Sequence, residues 1–138
     1  NNCCNQQHRI CSILCKFVFM SVLNIQEKFK LFSDFWSPKK IGELNGQQIL
    51  LAKIKGEFIW HAHEHEDELF MIIKGSLMIE FRDKTIELNE GEIYIIPKGV
   101  EHKPIAQEEV HVLLFEPLDI KHTGNVMADV TVEAFENI

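Results

Sequence analysis

From residue 48 to residue 116 the chain is a succession of short β-like runs, each four to eight residues long and punctuated by turn signals. The runs are 48–55, 57–63, 68–74, 76–82, 85–88, 92–97, 102–105 and 110–116. Lys74-Gly75-Ser76, Arg82-Asp83-Lys84, Asn89-Glu90-Gly91 and Lys98-Gly99 separate several of them, and Asn45-Gly46 precedes the first. Many short strands at such spacing predict an all-β body closed into a sandwich or barrel.

The chain's 138 residues suffice for one domain with a real core. The expected organisation is an N-terminal extension over 1–19, a helical arm over 20–44, a β-barrel over 45–118 and a more polar tail over 119–138. Within the arm, residues 24–36 read as a short amphipathic helix, with Asn24 as N-cap and Ile25, Phe29 and Phe32 on one stripe. In the tail, Thr123-Gly124-Asn125 reads as a loop and Val130-Thr131-Val132-Glu133 as a last edge strand. The extension has an apolar stretch over 10–19 broken by Lys16, and no small-residue cleavage site follows it before Asn24. It is expected to take no part in the chemistry; the alternative is a native arm packed on a partner subunit.

All four cysteines, Cys3, Cys4, Cys11 and Cys15, lie in that extension, in no trusted zinc spacing. A body without cysteine suits a reducing compartment, so the expected location is the cytoplasm. The net charge is −7 and no Lys/Arg stripe occurs, which argues against nucleic acid or an anionic membrane surface as the main partner. No apolar run approaches the roughly 20 residues needed to span a bilayer.

Two stretches carry the chemistry. The first is His61-Ala62-His63-Glu64-His65-Glu66-Asp67-Glu68, closed by Gly75; the second runs from Gly91 through Pro97 and Gly99 to His102. On a strand, side chains alternate faces, so His61 and His63 are expected to project the same way. Glu68 follows after a polar turn, and His102 must arrive from a distant strand. Together they read as two halves of one metal site, because neutral imidazoles and an ionised carboxylate all offer lone pairs to a divalent cation.

Those residues also carry a family resemblance. His61-x-His63, four residues, Glu68, six residues and Gly75 match the first motif of the cupins. Gly91, five residues, Pro97, Gly99 and His102 match the second. Gly56 stands five positions before His61 rather than six, and Ala106 occupies the position where the second motif ends in Asn; neither is a ligand position. The chain thus resembles a small single-domain cupin over roughly 45–118. The resemblance implies a double-stranded β-helix, or jelly roll, with one divalent transition metal held by His61, His63, Glu68 and His102. The segment 60–75 and Thr123-Gly124 also resemble a subgroup loosely described as mannose-6-phosphate-isomerase-like.

Phe70 and Ile72 share parity with Glu68 and are expected to face the barrel interior, where they can line a cavity. Tyr94 is expected to line the pocket with them, its hydroxyl packed at a rim. Glu64, Glu66 and Asp67 read as a solvated turn, His65 as a bystander, and His111 and His122 as plain surface or sheet residues. No second carboxylate stands out as a general base, so no residue receives a catalytic role. Four protein ligands on an octahedral ion leave two positions for substrate or dioxygen. The expectation is a metal-dependent enzyme, of isomerase or dioxygenase type, acting on a small polar molecule such as a sugar derivative or a hydroxy or keto acid. The metal is manganese, iron, nickel or zinc. The alternative is a non-catalytic binding or sensing module. A homodimer is expected, with 13–23 and the helix around 29–36 as candidate contacts.

Overall fold

A computed structural model describes residues 21–118 and 135–138. The expected loop at Thr123, the strand at Val130, His122, all four cysteines and most of the arm 13–23 lie outside these residues. The described chain is a short helix, α1 (Ile25–Phe29), followed by β1 (Lys39–Leu44), β2 (Gln47–Glu57), β3 (Glu68–Lys74), β4 (Ser76–Phe81), β5 (Thr85–Asn89), β6 (Ile93–Ile96), β7 (His102–Pro117) and β8 (Glu136–Asn137). It is an all-β jelly roll with one short helix: the strand pattern predicts the all-β body, and the family resemblance implies the jelly roll.

The long strand β7 organises the barrel. Its first part lies beside β4 (Phe81 opposite His102, Met78 opposite Ile105), and its second part beside β3 (Leu69 opposite Phe115). β2 runs antiparallel along most of it, from Gln47 opposite Pro117 to Glu57 opposite Ile105. The two runs expected at 102–105 and 110–116 are therefore one strand. β5 flanks β4, β6 flanks β3, and β1 flanks β2 with β8 parallel on its outer side. Asn45 (φ 53°) and Gly46 (φ 76°) make the β1–β2 turn, the paired positive φ values of a two-residue hairpin whose twist matches its strands. At Gly75 (φ 88°) the β3–β4 turn runs so close to β7 that a Cβ would stand 3.1 Å from the Glu109 carbonyl oxygen, which reserves this motif position for glycine.

Alternation along the strands fills the interior. Leu50, Ala52 and Ile54 of β2, Phe70 and Ile72 of β3, Leu77, Ile79 and Phe81 of β4, and Ala106, Val110, Val112 and Leu114 of β7 form one buried cluster. A second cluster lies on the outer face, where Phe29 and Phe32 cover Leu51. His111 sits there too: it is buried and stacks on Phe29 with ring centroids 4.3 Å apart.

Two expected elements fold differently. The helix expected over 24–36 stops after Phe29. Asn24 caps it as predicted, its side chain accepting the Glu27 N–H at 3.1 Å. Beyond Phe32 the sheet claims the chain: Phe35 bridges to Lys53, the Trp36 N–H donates to the Lys53 carbonyl at 3.0 Å, and its indole N–H donates to the Lys55 carbonyl at 2.8 Å. Residues 39–44, read as part of a helical arm, form β1. The run expected at 57–63 is no regular strand either. β2 ends at Glu57, past the positive φ of Gly56; beyond it the Phe58 N–H donates to the Pro104 carbonyl at 2.9 Å and His61 forms a two-bond bridge with His102.

Candidate metal centre

That bridge brings the two motifs together at the barrel wall. The His61 N–H donates to the His102 carbonyl at 3.1 Å, and the His102 N–H to the His61 carbonyl at 2.9 Å. Two further backbone links tie the motif turns: the Gly99 N–H donates to the His63 carbonyl at 2.7 Å, and the Lys98 N–H to Asp67 Oδ1 at 2.9 Å. Glu68 opens β3 as the first member of its inward row, and His102 opens that of β7. His61, His63, Glu68 and His102 are each at most 4% exposed.

The four side chains converge. One ligand atom from each lies within 4.8 Å of all the others. Glu68 Oε2 is 2.9 Å from His102 Nε2 and 3.3 Å from His63 Nε2. The backbone sets which nitrogens face inward. His61 Nδ1 lies 3.0 Å from the Ile59 carbonyl oxygen, and His102 Nδ1 lies 3.0 Å from that of Val100. A carbonyl only accepts, so both Nδ1 atoms carry the proton and each neutral ring turns a lone pair inward at Nε2. Glu66 Oε1 stands 3.5 Å from His63 Nδ1, close enough for a charge interaction but without a hydrogen bond.

The donor set fits a metal. His61 Nε2, His63 Nε2, Glu68 Oε2 and His102 Nε2 are all buried without a hydrogen-bond partner. Buried lone pairs facing one another cost free energy unless something positive lies among them. Three imidazole nitrogens and one carboxylate oxygen suit manganese, iron, nickel or zinc alike. The electrostatics agree. Burial pushes the pKa of His61 down to about 4, so its Nε2 lone pair stays free at neutral pH. Burial alone would raise the pKa of Glu68, but the neighbouring His102 and His63 outweigh it and hold it well below the ordinary carboxyl range. Burial also works against a charged His63, yet Glu68 and Glu66 raise its pKa above the ordinary value.

A cavity of about 30 Å³ adjoins the cluster. His61 and Glu68 are the only titratable groups in its lining; Trp36, Phe58, Phe70, Ala52, Ile54 and Leu114 supply most of the rest. Of the three residues expected to line a cavity, Phe70 does so. Ile72 is fully buried in the neighbouring core instead. Tyr94, opposite Phe70 in the β3–β6 ladder, is not in this lining; it packs on Phe81 at 5.9 Å between centroids, with Lys84 Nζ 3.4 Å from its hydroxyl. His65 is exposed and stands apart, as expected. Asp67 and Glu66 differ from their reading as a merely solvated turn, since one ties the two motif turns and the other faces His63.

Sequence reasoning missed one residue. Glu116, at the end of the β7 inward row, is 1% exposed, and neither of its carboxyl oxygens has a hydrogen-bond partner. Burial, then the charge of the adjacent Glu68, pushes its pKa well above the ordinary carboxyl range. The signal was in the pattern: Glu116 shares strand parity with Val110, Val112 and Leu114, so it had to point inward.

Comparison with known proteins agrees with this architecture. The cupin domain family model (Cupin_2) matches residues 50–120, more than half of the chain. The crystal structure of a cupin-2 domain containing protein from Shewanella frigidimarina superposes with a TM-score of 0.69 at 51% identity, covering 70% of this chain and 94% of that one. Protein NMB1881 from Neisseria meningitidis gives a TM-score of 0.65 at 26% identity, covering 70% of this chain and 99% of that one. The uncharacterised protein YdbB of Bacillus subtilis is 39% identical over 80 residues, which is 57% of this chain and 65% of that protein's length. With both motifs in place on a jelly roll and a family match over most of the barrel, the chain belongs to the cupin family.

Proposed function

We propose that the protein binds one divalent transition metal through His61, His63, Glu68 and His102 and is a metal-dependent enzyme, of isomerase or dioxygenase type. Its substrate is a small polar molecule such as a sugar derivative or a hydroxy or keto acid. The observation that carries this reading is the set of four buried donor atoms, unpartnered and within 4.8 Å of one another. A bound metal would supply Lewis acidity to an oxygen of the substrate. The chain's own residues do the rest: the Ile59 and Val100 carbonyls fix the ring orientations, and Trp36, Phe58 and Phe70 give the adjoining cavity an apolar wall.

The reading goes with a cytoplasmic homodimer whose ligand is a small molecule. Among the described residues no helix is long and apolar enough to cross a membrane. Phe29 and Phe32, expected at a subunit contact, are used within the chain, so a dimer interface falls to exposed apolar residues such as Leu31, Phe35, Ile93 and Ile95. Light scattering at micromolar concentration tests the dimer, and a monomer counts against it.

The deciding experiment is elemental analysis of protein purified without chelator or metal affinity resin, beside the His61→Ala/His102→Ala double variant. The expected result is about one equivalent of a transition metal, absent from the variant. Iron directs the search to oxygen consumption; manganese, nickel or zinc directs it to isomerisation. No metal in either protein, even after metals are added back, removes the enzyme reading and leaves a metal-free binding module.

A further inference from the structure

Glu116 is a buried acid that the four-residue site does not use. On one side its strand neighbour is Gln48 of β2, whose amide turns away and donates to the Pro117 carbonyl at 2.9 Å. On the other side the antiparallel register pairs Leu69 with Phe115 and Phe70 with Leu114. That ladder begins at Leu69 and Phe115, and continuing its register by one residue sets Glu116 across from Glu68. Both side chains point inward, and both are more than nine-tenths buried. Both Glu116 oxygens lack a partner. Its carboxyl is not among the four donors that lie within 4.8 Å of one another.

We propose that Glu116 is a positioning residue of the metal centre, whose carboxyl abuts that of Glu68 and holds this ligand with Oε2 turned toward the three imidazoles. This inference rests on the metal-centre reading. Its logic is steric and polar. A glutamate at the start of a strand has several rotamers, and only some aim an oxygen at His63 and His102. A carboxyl across the ladder, with no other partner, selects among them. Residues that orient a metal ligand commonly change metal affinity by about 10–100-fold when removed. An acid buried for packing alone makes a different prediction: replacing it with leucine improves the core and leaves the ion untouched.

The test is a cobalt(II) titration of the full chain, read by visible absorption and by affinity, for wild type, Glu116→Gln, Glu116→Leu and Glu116→Asp. Glutamine keeps the shape and a hydrogen-bond donor, and is expected to retain the wild-type bands and affinity. Leucine is expected to bind cobalt about 10–100-fold more weakly, with shifted bands, while raising the melting temperature of the metal-free protein. Aspartate withdraws the carboxyl by one methylene while remaining polar; it is expected to weaken binding likewise, which keeps the test decisive if the leucine variant misfolds. Leucine and aspartate variants that bind cobalt as the wild type does, with the same bands, overturn the proposal. A wild-type protein that binds no cobalt overturns the metal-centre reading itself, and the inference falls with it.

Discussion

Two parts of the barrel interior are equally dry and differently built. In one, Leu50, Ile72, Leu77, Ile79, Val110 and Val112 fill the space between strands, and burial satisfies all that these side chains require. In the other, His61, His63, Glu68, His102 and Glu116 are buried as deeply, yet each presents a polar atom without a hydrogen-bond partner. The same inward rows supply both: β3 runs from Glu68 to Phe70 and Ile72, and β7 carries His102 at one end, Glu116 at the other and aliphatic residues between. Aliphatic positions stabilise the fold, and polar ones burden it until an ion arrives. The contrast between them is a division of labour.

The sharpest way to break this division is at its aliphatic side. Ile79→Ala should destabilise the fold by about 2–5 kcal/mol in denaturant unfolding, because a fully buried side chain leaves a cavity. It should leave the metal equivalents of the folded protein unchanged; a loss of metal would show that the two parts are not separable. Metal removal probes the polar side. A chelated sample should lose about 2.7 kcal/mol relative to one held at a hundredfold excess of free metal over its dissociation constant. An equal melting temperature in both samples would show that the cluster takes no ion.

A smaller effect is expected where the two motif turns meet. Asp67→Ala removes the acceptor for the Lys98 N–H and should cost about 0.5–1.5 kcal/mol, with a modest fall in metal affinity through His63 and His102. Unchanged affinity would make the turn contact purely structural. The smallest effect lies outside the barrel and sets a baseline. Lys39 Nζ is 2.9 Å from Asp34 and 3.0 Å from Glu136. Burial alone would lower the pKa of Lys39, but these partners together raise it above 10.5, and Lys39 in turn lowers that of Asp34 below 3.8. The lysine's contribution is therefore complete below pH 10.5 and lost as pH rises through its folded value. That of Asp34 is complete above pH 3.8 and lost as pH falls. Lys39→Met should flatten both edges of the stability profile and leave metal binding alone.

The sequence made this division partly visible. Motif spacing singles out His61, His63, Glu68 and His102, and these four side chains do converge. The reason given for the two histidines was strand alternation; what brings them in is an irregular segment pinned by one bridge to His102. Such a bridge joins residues far apart in the chain and leaves no periodic trace. Glu116 escaped because a terminal charged residue on an apolar run reads as the strand's end, although its parity already placed it inside. The arm failed for a tertiary reason. Local pattern favours helix through Trp36, but the open edge of β2 offers Phe35 and Trp36 better-paired hydrogen bonds.

Trp36 carries a last consequence. Its backbone is held at φ 56°, and its ring stacks on Phe58 at 4.6 Å between centroids while lining the cavity that touches His61 and Glu68. The chain has only two tryptophans, and the other, Trp60, lies under the Arg82 guanidinium at 3.8 Å from the ring centroid. A Trp60→Phe variant thus holds a single tryptophan, set in the wall of its own candidate site. Quenching by cobalt or copper, or a shift in emission when a small molecule enters, would report occupancy without a label, so ligands can be screened before any reaction is known.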